Sequence, residues 1–205
     1  MDWRTYRMEK VNNWDKVQAA TGEREELPAG GYICRIMGAK EVEYKSQDGR
    51  PFHKLEISIE IEEGPYKGFY TRDYRSQALF GQQKWKGVLR PYCPTNGTSD
   101  QDRRSQGIFK SITDAIEASN PGYVWDWNEN GLKGKLVGVM FRSEEWEFDG
   151  RTGWKTQPYR FTTTEYIRSG EFDTPKSKPL PADRKPSQPS PGNGFEELSD
   201  SDLPF

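Results

Sequence analysis

Apolar and polar residues alternate most cleanly between positions 55 and 62, where Leu55, Ile57, Ile59 and Ile61 interleave with Glu56, Ser58, Glu60 and Glu62. A period of two marks a strand with one face buried and the other in water. Tyr32 to Tyr44 reads as the strand before it, bent near Gly38, and Ser46-Gln47-Asp48-Gly49 between them supplies a hairpin turn. Gly64-Pro65 ends the second strand, and Phe69 to Arg75 reads as a third. Helical spacing then takes over. Ile108, Ile112, Ala115 and Ile116 predict a helix over 103–119, capped near Ser99 or Asp100 and stopped by Asn120-Pro121-Gly122. Strands resume over Lys135–Arg142 and about Trp154–Thr164, joined by a turn containing Asp149-Gly150 and Gly153.

Three strands, a helix and two strands is the element order of a five-stranded OB-type Greek-key barrel with a helical insertion between strands 3 and 4. A meander in a β-sandwich is the structural alternative. Ahead of the barrel, residues 1–26 form a polar N-terminal extension in which Trp3, Tyr6, Val11, Trp14 and Val17 weakly suggest an amphipathic helix. The barrel is assigned to residues 27–172. Residues 173–194 are expected to be a disordered linker, since positions 174–194 hold six prolines and no aromatic. The last segment, 195–205, is an acidic tip ending in an apolar Leu-Pro-Phe.

Composition adds rings to this outline. Seven Trp, ten Tyr and ten Phe offset a low apolar fraction of 32%, and leave rings to spare for stacking on flat ligands. The formal charge of −2 hides an uneven distribution. Nine Lys and Arg against three acids give residues 64–110 a charge of +6, whereas the tip holds four acids and no base. Cys34, Cys93 and the single His53 match no zinc pattern, so two free thiols in a reducing cytosol are expected. His53 reads as a surface residue. No apolar run approaches the ~20 residues of a membrane span, and the first residues lack a signal peptide's apolar core. A cytoplasmic protein, with no membrane partner, is expected.

Three stretches carry candidate chemistry. On a third strand, Tyr70, Arg72 and Tyr74 would share one face as a stacking platform, with Arg75 beside it. Lys84, Trp85, Lys86, Arg90, Tyr92, Arg103 and Arg104 follow as a basic, aromatic path for phosphates. In the second hairpin, Trp146 and Phe148, with Arg151, Trp154 and Lys155, would close over an oligonucleotide, although Glu144, Glu145 and Glu147 lie beside them. Glu56, Glu60 and Glu62 would keep the outer face of the second strand free of DNA. In the tip, Asp200, Asp202, Leu203, Pro204 and Phe205 form a docking peptide: the ring fills a pocket while the carboxylates meet Arg or Lys.

That tip, Asp200-Ser201-Asp202-Leu203-Pro204-Phe205 after a Pro-rich linker, resembles the C-terminal tip of bacterial and phage single-stranded DNA-binding proteins. The entry Leu27-Pro28-Ala29-Gly30-Gly31-Tyr32 and the long helical segment before Lys135 are more similar to phage-encoded forms. Serine between the acids and leucine in place of the usual isoleucine depart from the pattern. The resemblance implies a protein that coats single-stranded DNA during replication, recombination and repair, and recruits replication and recombination enzymes through its tip. It would work in the host cytoplasm if phage-encoded, with a homo-oligomer possible. A recombination mediator that anneals strands, or a barrel that binds protein instead of DNA, are the alternatives. No Gly-rich phosphate loop or nucleophile–base set occurs, so neither catalysis, a cofactor nor a metal is expected.

Overall fold

A computed structural model describes residues 9–16, 25–81 and 83–181. It is mainly β: one five-stranded antiparallel sheet, in the order β3-β2-β1-β4-β5, with three helices. β1 (Gly30–Lys45) and β2 (Pro51–Ile61) form the first expected hairpin, in register from Lys45 opposite Pro51 back to Cys34 opposite Ile61. The expected bend is a bulge: the register shifts between Ile36 and Gly38. β4 (Leu136–Phe148) and β5 (Arg151–Thr162) form the second hairpin, longer at both strands than the sequence pattern suggested.

The alternating residues of β2 build the core. Leu55, Ile57, Ile59 and Ile61 are buried with Cys34 and Ile36 of β1 and Val137, Val139 and Phe141 of β4. Each such side chain contributes about 1.5–3 kcal/mol on burial. α2 (Asp100–Ser119) covers this layer through Phe109, Ile112, Ala115 and Ile116. Its start is the expected one: Ser99 Oγ accepts from Asp102 N–H, and the Asp102 carboxylate returns the bond to Ser99 N–H. Phe109, not Ile108, points inward; Ile108 is half exposed.

The expected third strand is not a strand. Residues Phe69–Ser76 form helix α1, and the third strand of the sheet is the two-residue β3 (Val88–Leu89). The cause lies in β2. Glu60, expected on a solvated face, is buried at 7% exposure and turned onto the α1 N-terminus. Its carboxylate accepts from Tyr70 N–H (3.0 Å), Thr71 N–H (2.7 Å) and the Thr71 hydroxyl (2.6 Å). The two N–H groups are orphans at any helix start, and the helix dipole favours an anion there. Gly68, at φ 75°, turns the chain into α1 in the left-handed region that favours glycine.

β3 and β5 are the two edges of the sheet; their Cα atoms come within 8 Å, but no ladder joins them, so the sheet is not closed into a barrel. α3 (Thr164–Ser169) lies against β1 and β4 where Gly138 leaves room; a Cβ there would stand 2.4 Å from the Thr163 carbonyl oxygen. In the stretch expected to be linker, residues up to Pro181 are described. Lys178 pairs with the β4 edge, its N–H donating to Ser143 O and its own carbonyl accepting from Glu145 N–H. Of the N-terminal extension, Trp14–Lys16 form a short helical turn; Trp3, Tyr6 and Val17 lie outside the described residues. No helix among the described residues is long and apolar enough to cross a membrane.

Candidate functional site

The curl that brings β3 toward β5 leaves a groove of about 1230 Å³. Its lining comes from α1 (Phe69, Tyr70, Asp73), the segment Lys84–Arg90, and β5 from Trp154 to Gln157. Residues 25–29, which include Glu25 and Glu26, complete it with Tyr44, Glu56 and Ser143. A smaller pocket of about 440 Å³ continues it over Lys40, Ser58 and Val88, sharing Glu56, Lys84, Trp85 and Arg90.

α1 positions the segment 84–86 through side chains that imitate backbone. Gln77 accepts from Lys84 N–H (2.8 Å) and donates to Lys84 O (3.1 Å), as a neighbouring strand would. Asp73 accepts from Lys86 Nζ at 2.7 Å. Trp85 is thereby turned inward and half-buried. Its Nε1–H donates to Ile59 O (3.1 Å), and its ring leans on Tyr70 and Tyr74 at centroid distances of 6.1 and 5.9 Å. Gly87 is required by this packing, because a Cβ there would meet the Tyr70 ring at 2.6 Å and Ile59 O at 2.7 Å. Burial pushes the Tyr70 phenol far up, so it stays protonated.

Glu56 accepts from the Tyr44 hydroxyl (2.5 Å) and from Arg90 Nε (2.7 Å). The Tyr44 hydrogen bond, then the Arg90 one, hold its carboxyl below the usual glutamate value. A depressed pKa means the charged pair persists as pH falls through the ordinary carboxylate range and is lost only below it. In a carbon-detected NMR titration, Glu56 should therefore titrate below the ordinary glutamate value. Tyr44→Phe should move its midpoint upward, and an unmoved midpoint would contradict the assignment. Lys84 and Lys155, by contrast, are exposed and make no ion pair among the described residues.

Of the expected residues, the groove brings together Tyr70, Lys84, Trp85, Lys86, Arg90, Trp154 and Lys155. The rest fall elsewhere. Residues two apart do not share a face on a helix, so the platform of Tyr70, Arg72 and Tyr74 does not form. Tyr70 is core, Tyr74 packs on Trp85, and Arg72 pairs with Glu25 at 2.9 Å. Arg75 is exposed at the end of α1. Tyr92 stands beyond the groove, with its ring near Phe52 and under Lys54 Nζ at 4.6 Å. Arg103 and Arg104 lie in the first turns of α2, Arg103 paired with Asp100.

The second hairpin divides its rings between two faces. In register, Glu145 opposes Trp154 and Trp146 opposes Gly153, so Trp146 and Phe148 face away from Trp154. Trp146 lies over Gly153, Phe148 is 77% exposed, and Arg151 sits exposed at the turn; none of the three lines the groove. The neighbouring acids are engaged locally: Glu144 holds Arg142, Glu145 accepts from Leu180 N–H, and Glu147 accepts from Gly150 N–H. The tip residues Asp200, Asp202, Leu203, Pro204 and Phe205 lie outside the described residues.

No family model and no curated protein matches the chain. Among the described residues no cluster of three His, Cys, Asp or Glu could hold a metal ion. Tyr44 is a groove residue that sequence reasoning passed over, and Glu56, expected on a face kept free of DNA, lines the groove instead because Arg90 and Tyr44 hold its carboxylate there. The hairpin turn was the available signal for Tyr44, since it sets Tyr44 opposite Phe52, four pairs from Glu56.

Proposed function

We propose that this protein binds single-stranded DNA in the groove, without strong sequence preference, on an OB-type β-barrel left open at one seam. The observation that carries the reading is the joint presence of two tryptophans, Trp85 and Trp154, with two free cations, Lys84 and Lys155, in one open groove. Any base can stack on an indole face, whereas the cations meet the phosphates that link the bases. Of the four acids that line the groove, Asp73, Glu56 and Glu25 do not repel a backbone as isolated acids would, because Lys86, Arg90 and Arg72 neutralise them in place; Glu26 makes no ion pair among the described residues. For the barrel, the support is the sheet itself: joining β3 to β5 would close five strands into a ring, with α2 connecting β3 to β4. The tip, on the strength of its sequence, recruits replication and recombination proteins to the coated strand.

Titration with oligo-dT at rising salt, read by tryptophan fluorescence, tests the reading. Quenching is expected, with a shallow salt dependence. Two cations free for phosphates give a log–log slope of about −1.4 at ~0.7 per phosphate, and Lys84→Ala should reduce it by about half. Absence of quenching at low salt, or equal affinity for duplex, overturns the proposal.

A further inference from the structure

The sheet face that lines the groove runs on past it. Phe52, Lys54 and Glu56 alternate along that face of β2, and the register sets Phe52 opposite Tyr44 of β1. On the other side of β2, Tyr92 pairs with Lys54 just beyond the end of β3. Tyr44 and Glu56 line the groove, so the face continues from it toward the turn of the first hairpin. Phe52 lies roughly 13 Å beyond Glu56, at ~3.3 Å for each residue of strand.

Three rings and one cation gather on this continuation. Tyr44 and Phe52 stack, with 15° between planes and 5.6 Å between centroids, and the Phe52 ring stands 5.5 Å from Tyr92. Lys54 Nζ lies over all three, 4.6 Å from the Tyr92 centroid and 5.5 and 5.6 Å from those of Tyr44 and Phe52. Ring faces attract an ammonium and fix its position without cancelling its charge. Lys54 makes no ion pair among the described residues, because strand alternation puts the nearby acids elsewhere. Glu41 and Glu43 stand on the opposite face, where the His53 ring nitrogens lie 2.6 and 3.9 Å from them. Tyr92, beside this located charge, is 50% exposed.

We infer that Tyr44, Phe52 and Tyr92 form a second stacking subsite, which takes bases of a single strand as it leaves the groove, with Lys54 meeting a phosphate there. The inference rests on the groove's binding single-stranded DNA, and adds where the strand goes next. Charge selects this occupant: the face offers an unneutralised cation, and its acid, Glu56, is already held by Arg90. Continuity selects it too, since Tyr44 belongs to both the groove and the ring cluster. Every base has a π-face, so the subsite adds affinity without adding sequence preference.

Anisotropy of labelled oligo-dT of increasing length, about 4 to 16 nucleotides, tests this on the full chain. Wild-type affinity should rise to a plateau once strands are long enough to reach Tyr92. Tyr92→Ala should weaken binding of plateau-length strands about fivefold or more, the effect of losing one stacked base, and leave the shortest strands that bind unaffected. Tyr92→Phe keeps the ring and should bind as wild type. Lys54→Gln should reduce the log–log salt slope by about 0.7, for long strands only. It removes charge but no ring, so it carries the test alone should Tyr92→Ala fail to fold. Variants that match wild type at every length overturn the subsite and leave the groove in place. An equal loss at every length overturns it as well, since Tyr92 would then shape the groove instead of extending it. No binding by the wild type at any length removes the groove reading, and the subsite with it.

Discussion

Glu60→Ala should destabilise the fold by about 3 kcal/mol or more, which chemical denaturation would read as a lowered midpoint. The reason is that one buried carboxylate serves four donors: Ile61 N–H and Tyr70 N–H on one oxygen, Thr71 N–H and the Thr71 hydroxyl on the other. A hydrogen bond to a charged group contributes ~1.5–3 kcal/mol, and a buried donor left without a partner costs a further ~1–3 kcal/mol. The helix dipole adds to the loss, since α1 would no longer meet an anion at its positive end. Glu60→Gln keeps the volume but sets an amide N–H₂ against donors, so it should recover only part of the stability. The damage should reach the groove. α1 holds Lys84 through Gln77 and Lys86 through Asp73, so a loosened α1 releases Trp85 as well. A Glu60→Ala protein that unfolds with wild-type midpoint would sink the capping account.

Trp154→Ala should weaken single-strand binding by about 1–3 kcal/mol, the range for a ring that stacks a base. Because Trp154 is 54% exposed, its removal should leave the unfolding midpoint nearly unchanged. Trp85→Ala makes the contrast. That ring is half-buried, bonded to Ile59 O and packed on Tyr70 and Tyr74, so its loss should lower affinity and stability together. Trp146→Ala, on the far face of the same hairpin, should leave affinity untouched. Equal losses at Trp146 and Trp154 would mean that the strand wraps the hairpin instead of entering the groove. An unaffected Trp154→Ala would remove β5 from the site.

The two hairpins and α2 were legible because their signals are local. A period of two between Leu55 and Ile61, an Asp-Gly at each turn, and a Ser99–Asp102 capping box each act within a few residues. Within the candidate site, Lys84, Trp85, Lys86 and Arg90 were legible as a basic, aromatic run, and Trp154 and Lys155 as part of the second hairpin. What the run could not show is which of its members turn inward. Phe69 to Arg75 is rich in aromatic residues and reads as a strand when taken alone. It becomes a helix because Glu60, ten and eleven residues earlier, supplies an anion at its first turn. Three-residue spacing also misjudged one position of α2, where Phe109 fills the core and Ile108 does not.

By itself, then, the sequence determined the strands of the two hairpins, the helix that separates them, and the inventory of rings and cations available for a ligand. It did so because hydrogen-bonded neighbours in hairpins and helices are close in the chain. Tertiary structure alone decided the helical state of 69–76, the burial of Glu60, and the division of Trp146 from Trp154. It also decided that Trp85 and Trp154, nearly seventy positions apart, line one groove. These outcomes depend on the curl of the sheet and on two bulges, at Ile36/Gly38 and Met140/Phe141, which re-aim every side chain beyond them. Such long-range placement leaves no periodicity along the chain, which is why the groove appears only once β5 is folded back toward β3.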